Sequence, residues 1–405
     1  MSDNRRTART DALCAWITQQ GIDGRSFDDL LEGLCAELTG AGLPLLRMNL
    51  SMRALHPEIG AFAYRWKRKT GMIREEYHRN SVVVTGWDQS PLKALVESPD
   101  NELRYKLHEM SGPMPFPMFE ELVQMGGTDY FAQQLPMSRW EHTAQSRLST
   151  DNGLMASWVA DAPNGFSDDD LDLLRGLLPT LGLALKSMAN LTTARDLLGV
   201  YLGGDAGRRV MSGDILRGSL DKIGCAILYF DLQGFTRLSE ALEPEILIEM
   251  LNAYFGEVVG IVERHGGNVL KFMGDGMLAI FAETGDGQSR LAALDAVAEV
   301  RGAMDAVNER RAAEGLPVTG FCAALHAGEV LYGNIGGPTR LDFTVIGPAV
   351  NAASRILGMC SGLDQNILVS SNIAEPVLEL RPALVSVGQY RLRGVADRME
   401  LFTLD

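Results

Sequence analysis

Between residues 223 and 357 the apolar and polar positions change period repeatedly, and each change marks an element. Residues 223–230 form an apolar run short enough for a strand. Within Pro244–Arg264, Leu247, Leu251, Tyr254, Val258 and Ile261 recur at steps of three and four, the stripe of an amphipathic helix, closed by Gly266. Two short apolar runs, 269–273 and 277–281, flank Gly274-Asp275-Gly276, which has the chemistry of a tight hairpin turn. Helical spacing returns over 291–314 and stops at Gly315 and Pro317. Residues 321–326 and 342–346 read as strands, and Pro348 takes a natural first-turn position in a short helix through Leu357. The order strand, helix, hairpin, helix, strand predicts a split βαβ, ferredoxin-like core with a C-terminal addition.

Upstream the pattern is looser. FDDLLEGLCAEL (27–38) has helical spacing, whereas MNLSMRAL (48–55), AFAYRW (61–66), TDYFAQQL (128–135) and GLMASWVA (153–160) read as strands of an antiparallel sheet. This is α+β order, not the regular alternation of a doubly wound fold. After it, Ser167 with Asp170 resembles a capping box, and Leu171, Leu174, Leu178, Leu181, Leu185 and Met188 follow as a heptad-like seam. So few heptads fit a helix packed on its own domain and a helix paired with its twin equally well. The expected organisation is therefore a regulatory domain over 1–165, a helical linker or dimerisation segment over 166–220, and a catalytic domain over 221–405. No internal repeat is present. Gly203-Gly204-Asp205 matches part of a diguanylate cyclase signature but lacks the acidic-aromatic pair that should follow it, and is set aside.

Composition narrows the class. The 405 residues are 46% hydrophobic and 22% charged, ordinary for a globular protein, and carry a formal net charge of −15. That balance argues against nucleic acid or an anionic membrane as partner. Cys14, Cys35, Cys225, Cys322 and Cys360 show no metal-ligand rhythm and read as free thiols of a reducing compartment. The polar start, MSDNRRTARTD, gives no signal peptide, and the most apolar long stretch, 171–188, is broken by Asp172, Arg175, Pro179 and Lys186. A cytoplasmic protein without a membrane span is expected.

The candidate chemistry lies in the second half. Asp231 ends the first strand, and the hairpin folds alongside that strand, so Asp275 at its tip approaches Asp231. Two carboxylates in an apolar setting raise each other's pKa, and a divalent cation, or two, bound through hard oxygens removes the conflict. Taken alone, Asp275 fits a plain turn and Asp231 a plain strand end; their joint placement is what suggests a metal site. Gly234-Phe235-Thr236 follows, where amides at a helix start could hold phosphate oxygens.

Four motifs carry a resemblance: FDLQGFTRLSE (230–240), GGNVLKFMGDGMLAIF (266–281), LHAGEVLYGNIG (325–336) and RLDFTVIGPAVNAASRI (340–356). In order and spacing they resemble the catalytic domain of class III adenylate and guanylate cyclases, over less than half of the chain. The resemblance implies that Asp231 and Asp275 hold two metal ions per site, Mg2+ or Mn2+, with the Leu232 carbonyl as a further ligand. It makes Lys271 and Thr344 the purine-reading residues. Guanylate cyclases similarly carry glutamate at the Lys271 position, so the pair implies ATP, with the threonine typical of the bacterial-type (IIIb) subgroup. Asn351 would orient the ribose and Arg355 would stabilise the transition state; four apart on one helix, they share a face. Arg393, near Arg391, is a candidate triphosphate ligand. Pro348 departs from the family, many of whose members have an acidic residue there. His326 reads as a structural strand residue.

The implied reaction converts ATP to 3′,5′-cyclic AMP and pyrophosphate by attack of the 3′-hydroxyl on the α-phosphate. Asp231, a water or a substrate oxygen could accept the proton. In this family each site takes its metal aspartates from one subunit and its Asn/Arg pair from the other, so a homodimer is implied. A catalytically silent nucleotide-binding module and a guanylate cyclase are the alternatives. The end of the first domain, GLMASWVADAPNGFSDDDLDLLRGLLPTLGLAL, resembles the last strand and closing helix of a GAF sensor domain. The implied partner there is an unknown small-molecule or protein signal. Trp66, Trp87, Tyr130 and Trp140 could line its pocket, although such aromatics more often pack a core.

Overall fold

The computed structural model describes residues 2–53, 59–78, 86–137, 153–214, 216, 218–283, 287–381, 383–395 and 397–404. The chain divides into two compact units, Met1–Leu197 and Leu198–Asp405. It is mixed α+β, with one antiparallel-rich sheet in each unit.

Unit 1 contains α1 (Ser2–Ile22), α2 (Phe27–Gly40), β1 (Leu45–Arg53), β2 (Ile59–Lys67), β3 (Gly71–His78), α3 (Pro91–Glu97), β4 (Glu102–Tyr105), α4 (Pro117–Gln124), β5 (Asp129–Pro136), β6 (Gly153–Ala160) and most of α5 (Asp168–Leu202). The sheet order is β3-β2-β1-β6-β5-β4, with every pairing antiparallel. One face meets α1, α2 and α5 through Leu30, Leu34, Met48, Leu50, Phe131 and Trp158. Ser26 caps α2 through the Asp29 amide. Ser167 and Asp170 form the expected reciprocal cap, at 2.7 to 3.2 Å. The leucine seam of α5, from Leu171 to Met188, is buried in unit 1's own core, while Leu183 on another side is 71% exposed. Of the four aromatics, Trp66 and Tyr130 are buried, Trp87 is at the surface, and Trp140 lies outside the described residues.

Unit 2 contains α6 (Gly204–Met211), β7 (Leu220–Leu232), α7 (Phe235–Ala241), α8 (Pro244–Arg264), β8 (Asn268–Met273), β9 (Gly276–Ala282), α9 (Gln288–Ala313), β10 (Phe321–Gly337), β11 (Arg340–Ile346), α10 (Pro348–Leu357), β12 (Ile367–Ser370), β13 (Leu384–Arg391) and β14 (Arg398–Leu404). The sheet runs β13-β14-β12-β10-β7-β9-β8, and β11 pairs with β10. Within it β7-α8-β8-β9-α9-β10 has the fourth, first, third and second strands side by side, the ferredoxin-like arrangement. Even-numbered β7 residues, Ala226 to Leu232, pack under α8 and α9. Odd-numbered ones, with Leu270 and Leu278, meet Tyr332, Phe343, Val345 and α10 on the other face. β10 is longer than the run 321–326, because the glycine-rich stretch after it stays in the sheet. At Gly333 any Cβ would collide with the Ser219 carbonyl, so the glycines there permit close backbone approach.

Candidate functional site

Asp231 sits directly across from Gly276 in the β7–β9 register, and the Leu232 amide donates to the Asp275 carbonyl at 3.1 Å. These two ties bring the hairpin tip to the end of β7. Both glycines of the tip have a physical reason. Gly274 has φ +70°, and a Cβ on Gly276 would stand 2.9 Å from Asp231 Oδ1 and 3.0 Å from the Phe230 carbonyl. Asp231 is half-buried, and its pKa is pushed up to about 6, first by burial and then by the Asp275 charge. Neither carboxylate has an ion pair among the described residues, and their oxygens are hard donors, so the pair fits a divalent cation. No group of three or more His, Cys, Asp or Glu side chains with metal-site geometry occurs among the described residues, so water or a ligand would complete the coordination.

Lys271 owes its orientation to a β-bulge between Val269 and Lys271, which sets Leu270 and Lys271 on one face of an edge strand. The β10–β11 hairpin folds across that face: Asn268 Nδ2 donates to the Tyr332 hydroxyl at 3.2 Å, and Lys271 Nζ lies 3.4 Å from Asp342 Oδ2. Thr344, two residues along β11 from Asp342, is buried, and its hydroxyl has no partner among the described residues. Asp342 escaped the sequence reading because an aspartate at a strand start looks like ordinary turn chemistry. Gly234 is left-handed (φ +66°) before Phe235 and Thr236, but α7 has only seven residues.

Asn351 and Arg355 line a different cleft, of about 880 Å3, together with Lys222, His326, Glu329 and Gly394. Gly394 (φ +72°) lets the loop after β13 pass over the guanidinium; a Cβ there would lie 3.1 Å from Arg355 Nη1. Gly394 and Val395 border the cleft, whereas Arg393 is exposed and does not line it. Asp231, Asp275, Lys271 and Thr344 are absent from its lining. Along β7 the cleft extends from Lys222 to the level of Ile227, the register partner of His326, and stops short of Asp231. In a single copy, then, neither aspartate borders the Asn/Arg cleft.

His326 is 5% exposed, its Nδ1 is 2.9 Å from Ser370 Oγ, and burial pushes its pKa down to about 4. The neutral ring is the favoured form in the fold. Its contribution to stability is complete above the unfolded value of 6.5 and is lost as pH falls toward 4, about 3 kcal/mol across that window. Thermal unfolding from pH 7 to 4 should show wild type losing more stability than His326→Gln. Parallel profiles would remove the assignment.

Residues 220–405 match the family model described as the adenylate and guanylate cyclase catalytic domain. An adenylate cyclase of Anabaena cylindrica is 36% identical over 151 residues, 36% of this chain and 29% of that protein. Adenylate cyclase 1 of Rhizobium meliloti (strain 1021) is 27% identical over 179 residues, 43% of this chain and 26% of that protein. The matches thus span less than a third of these two relatives. Among solved structures, the guanylyl cyclase Cya2 is 31% identical, with a TM-score of 0.41, over 46% of this chain and 93% of that one. The adenylyl cyclase CyaB from P. aeruginosa is 27% identical, with a TM-score of 0.43, over 46% of this chain and 96% of that one. No described helix is long and apolar enough to cross a membrane.

Proposed function

Since residues 220–405 are a class III adenylate/guanylate cyclase catalytic domain, we propose that the protein is an adenylate cyclase acting as a homodimer. The observation that carries this reading is the convergence of Asp231 and Asp275 without a cationic partner, while neither lines the Asn351/Arg355 cleft. A second copy that brings its cleft to this acidic end would complete the site. Apolar side chains left at the surface support such an interface: Phe272 and Met273 beside the hairpin tip are 53% and 39% exposed, and Leu331, Leu341 and Ile346 on the β10–β11 hairpin 38% to 41%.

In this reading Asp231, Asp275 and the Leu232 carbonyl hold Mg2+ or Mn2+. The bound cations supply Lewis-acid activation of the 3′-hydroxyl and shielding of the triphosphate. Lys271 Nζ donates to the adenine ring and is held ready by Asp342, while the orphan Thr344 hydroxyl takes a second adenine contact. Asn351 fixes the ribose so that O3′ faces the α-phosphorus. As the O3′–Pα bond forms and the bond to pyrophosphate breaks, Arg355 offsets the charge on the α-phosphoryl oxygens. Phosphate contacts from the amides near Gly234, Phe235 and Thr236, and from Arg393, are secondary parts of the proposal. Unit 1 is read as a GAF-like regulatory domain.

The test is cyclic nucleotide formation by the purified chain with ATP and with GTP, under Mg2+ and Mn2+. Cyclic AMP from ATP, with little product from GTP, is the expected result; cyclic GMP from GTP in preference would overturn the specificity. Lys271→Ala should lower kcat/KM for ATP by about ten- to a hundredfold, the range for losing a charged hydrogen bond. An unchanged ATP/GTP ratio in that variant would remove Lys271 from purine recognition.

A further inference from the structure

The proposed cyclase site leaves one chemical anomaly of unit 1 unexplained. The sheet face opposite α1, α2 and α5 carries Arg47 and Asn49 on β1, Ser157 on β6 and Tyr130 on β5, with exposures of 7%, 7%, 3% and 0%. The pairing register gathers them. Arg47 is opposite Val159 and Val159 opposite Tyr130, while Asn49 faces Ser157 in the adjoining row. Arginine and tyrosine therefore flank one valine, about 10 Å apart at the backbone.

Neighbouring charges of this sheet are matched. Buried Asp129 accepts from Arg104 and from the Phe166 amide, Arg65 holds Glu75 at 2.7 Å, and Lys67 lies 3.8 Å from Glu121. Arg47 is different. Among the described residues its only polar contact is Met118 Sδ at 3.6 Å, and its Nε has no partner. The Tyr130 hydroxyl, beside Ser157, makes no hydrogen bond of good geometry. Burial, and then the Arg65 charge, lower the Arg47 pKa against the smaller raising influence of Glu121, Tyr130 and Glu75, none of which hydrogen-bonds to it. A desolvated guanidinium is strongly unfavourable until an anion joins it. The layer over this face is adaptable: Phe119 and Leu122 pack there with Met110, Met114 and Met118, unbranched side chains that repack readily around a guest.

We infer that this face of unit 1 binds a small organic carboxylate, its anionic end on Arg47 and Tyr130 and its apolar body beneath the methionine layer. The planar guanidinium fork matches a carboxylate, whereas a phosphate dianion would leave charge unmatched against one arginine and one hydroxyl. The inference does not depend on cyclase activity.

Calorimetric titration and thermal unfolding of the full chain with benzoate and with 3-methylbutanoate, against chloride at equal ionic strength, test it; inorganic phosphate is the competing class. Saturable binding of at least one carboxylate is expected, with a raised unfolding midpoint. Arg47→Met should weaken binding about thirtyfold or more, as for a truncated buried charge pair, without lowering the unligated midpoint. Arg47→Lys, which keeps the charge and loses the fork, should also bind more weakly. No carboxylate binding by wild type, a preference for phosphate, or undiminished binding by the Arg47 variants would overturn the site.

Discussion

Asp275→Ala is expected to reduce cyclic nucleotide formation by about a thousandfold or more, with unit 2 still folded. The carboxylate stands on a turn whose shape is set by Gly274 and Gly276 and by the Leu232–Asp275 backbone hydrogen bond, none of which needs the side chain. Its removal also relieves Asp231 of a like charge, so the metal-free fold has nothing to lose electrostatically. Calorimetric Mn2+ titration should show weakened binding alongside the lost activity, and circular dichroism an unchanged fold. Turnover near that of wild type would end the metal-holding role of the hairpin.

A mixture of two inactive chains should regain activity. Asp275→Ala lacks the acidic half of a site and Arg355→Ala the other half, and in this structure Asp275 does not line the cleft that holds Arg355. In a heterodimer one composite site loses both groups and the other keeps both. With free exchange of equal amounts, half of the dimers are mixed and each has one good site, so recovery of about a quarter of wild-type activity is expected. Exchange itself would be followed with differently tagged chains. Demonstrated exchange without recovery would mean that one copy holds a whole site, contrary to the composite-site reading.

Much of unit 2 was legible before any coordinates, because period changes and turn chemistry are local signals. The helix Pro244–Arg264 has the expected bounds, and the Gly274-Asp275-Gly276 turn sits between paired strands. Three things were not legible, for separable reasons. β10 runs on through Gly328, Gly333 and Gly336, residues that intrinsic propensity counts against a strand; close backbone approach overrides propensity there. The bulge that turns Lys271 toward Asp342 depends on cross-strand register, which no single strand encodes. Arg47 carries no signal in the sequence, and its burial, with Met118 Sδ as its contact, arises only from tertiary packing. Local pattern thus located the acidic pair, while the residues that hold or bury its surroundings belong to tertiary structure.

The long strand β7 has a consequence for how such a sequence can drift over generations. Lys222 near one end lines the Asn351/Arg355 cleft and Asp231 at the other meets the hairpin turn, so each end answers to its own set of neighbours. Between them, Cys225 to Phe230 alternate between two apolar layers and do not line that cleft. Exchange among side chains of similar volume should accumulate in that middle stretch, where only packing is at stake, while both ends stay fixed. A lineage could in this way rebuild the interior of the strand without disturbing either of the surfaces it serves.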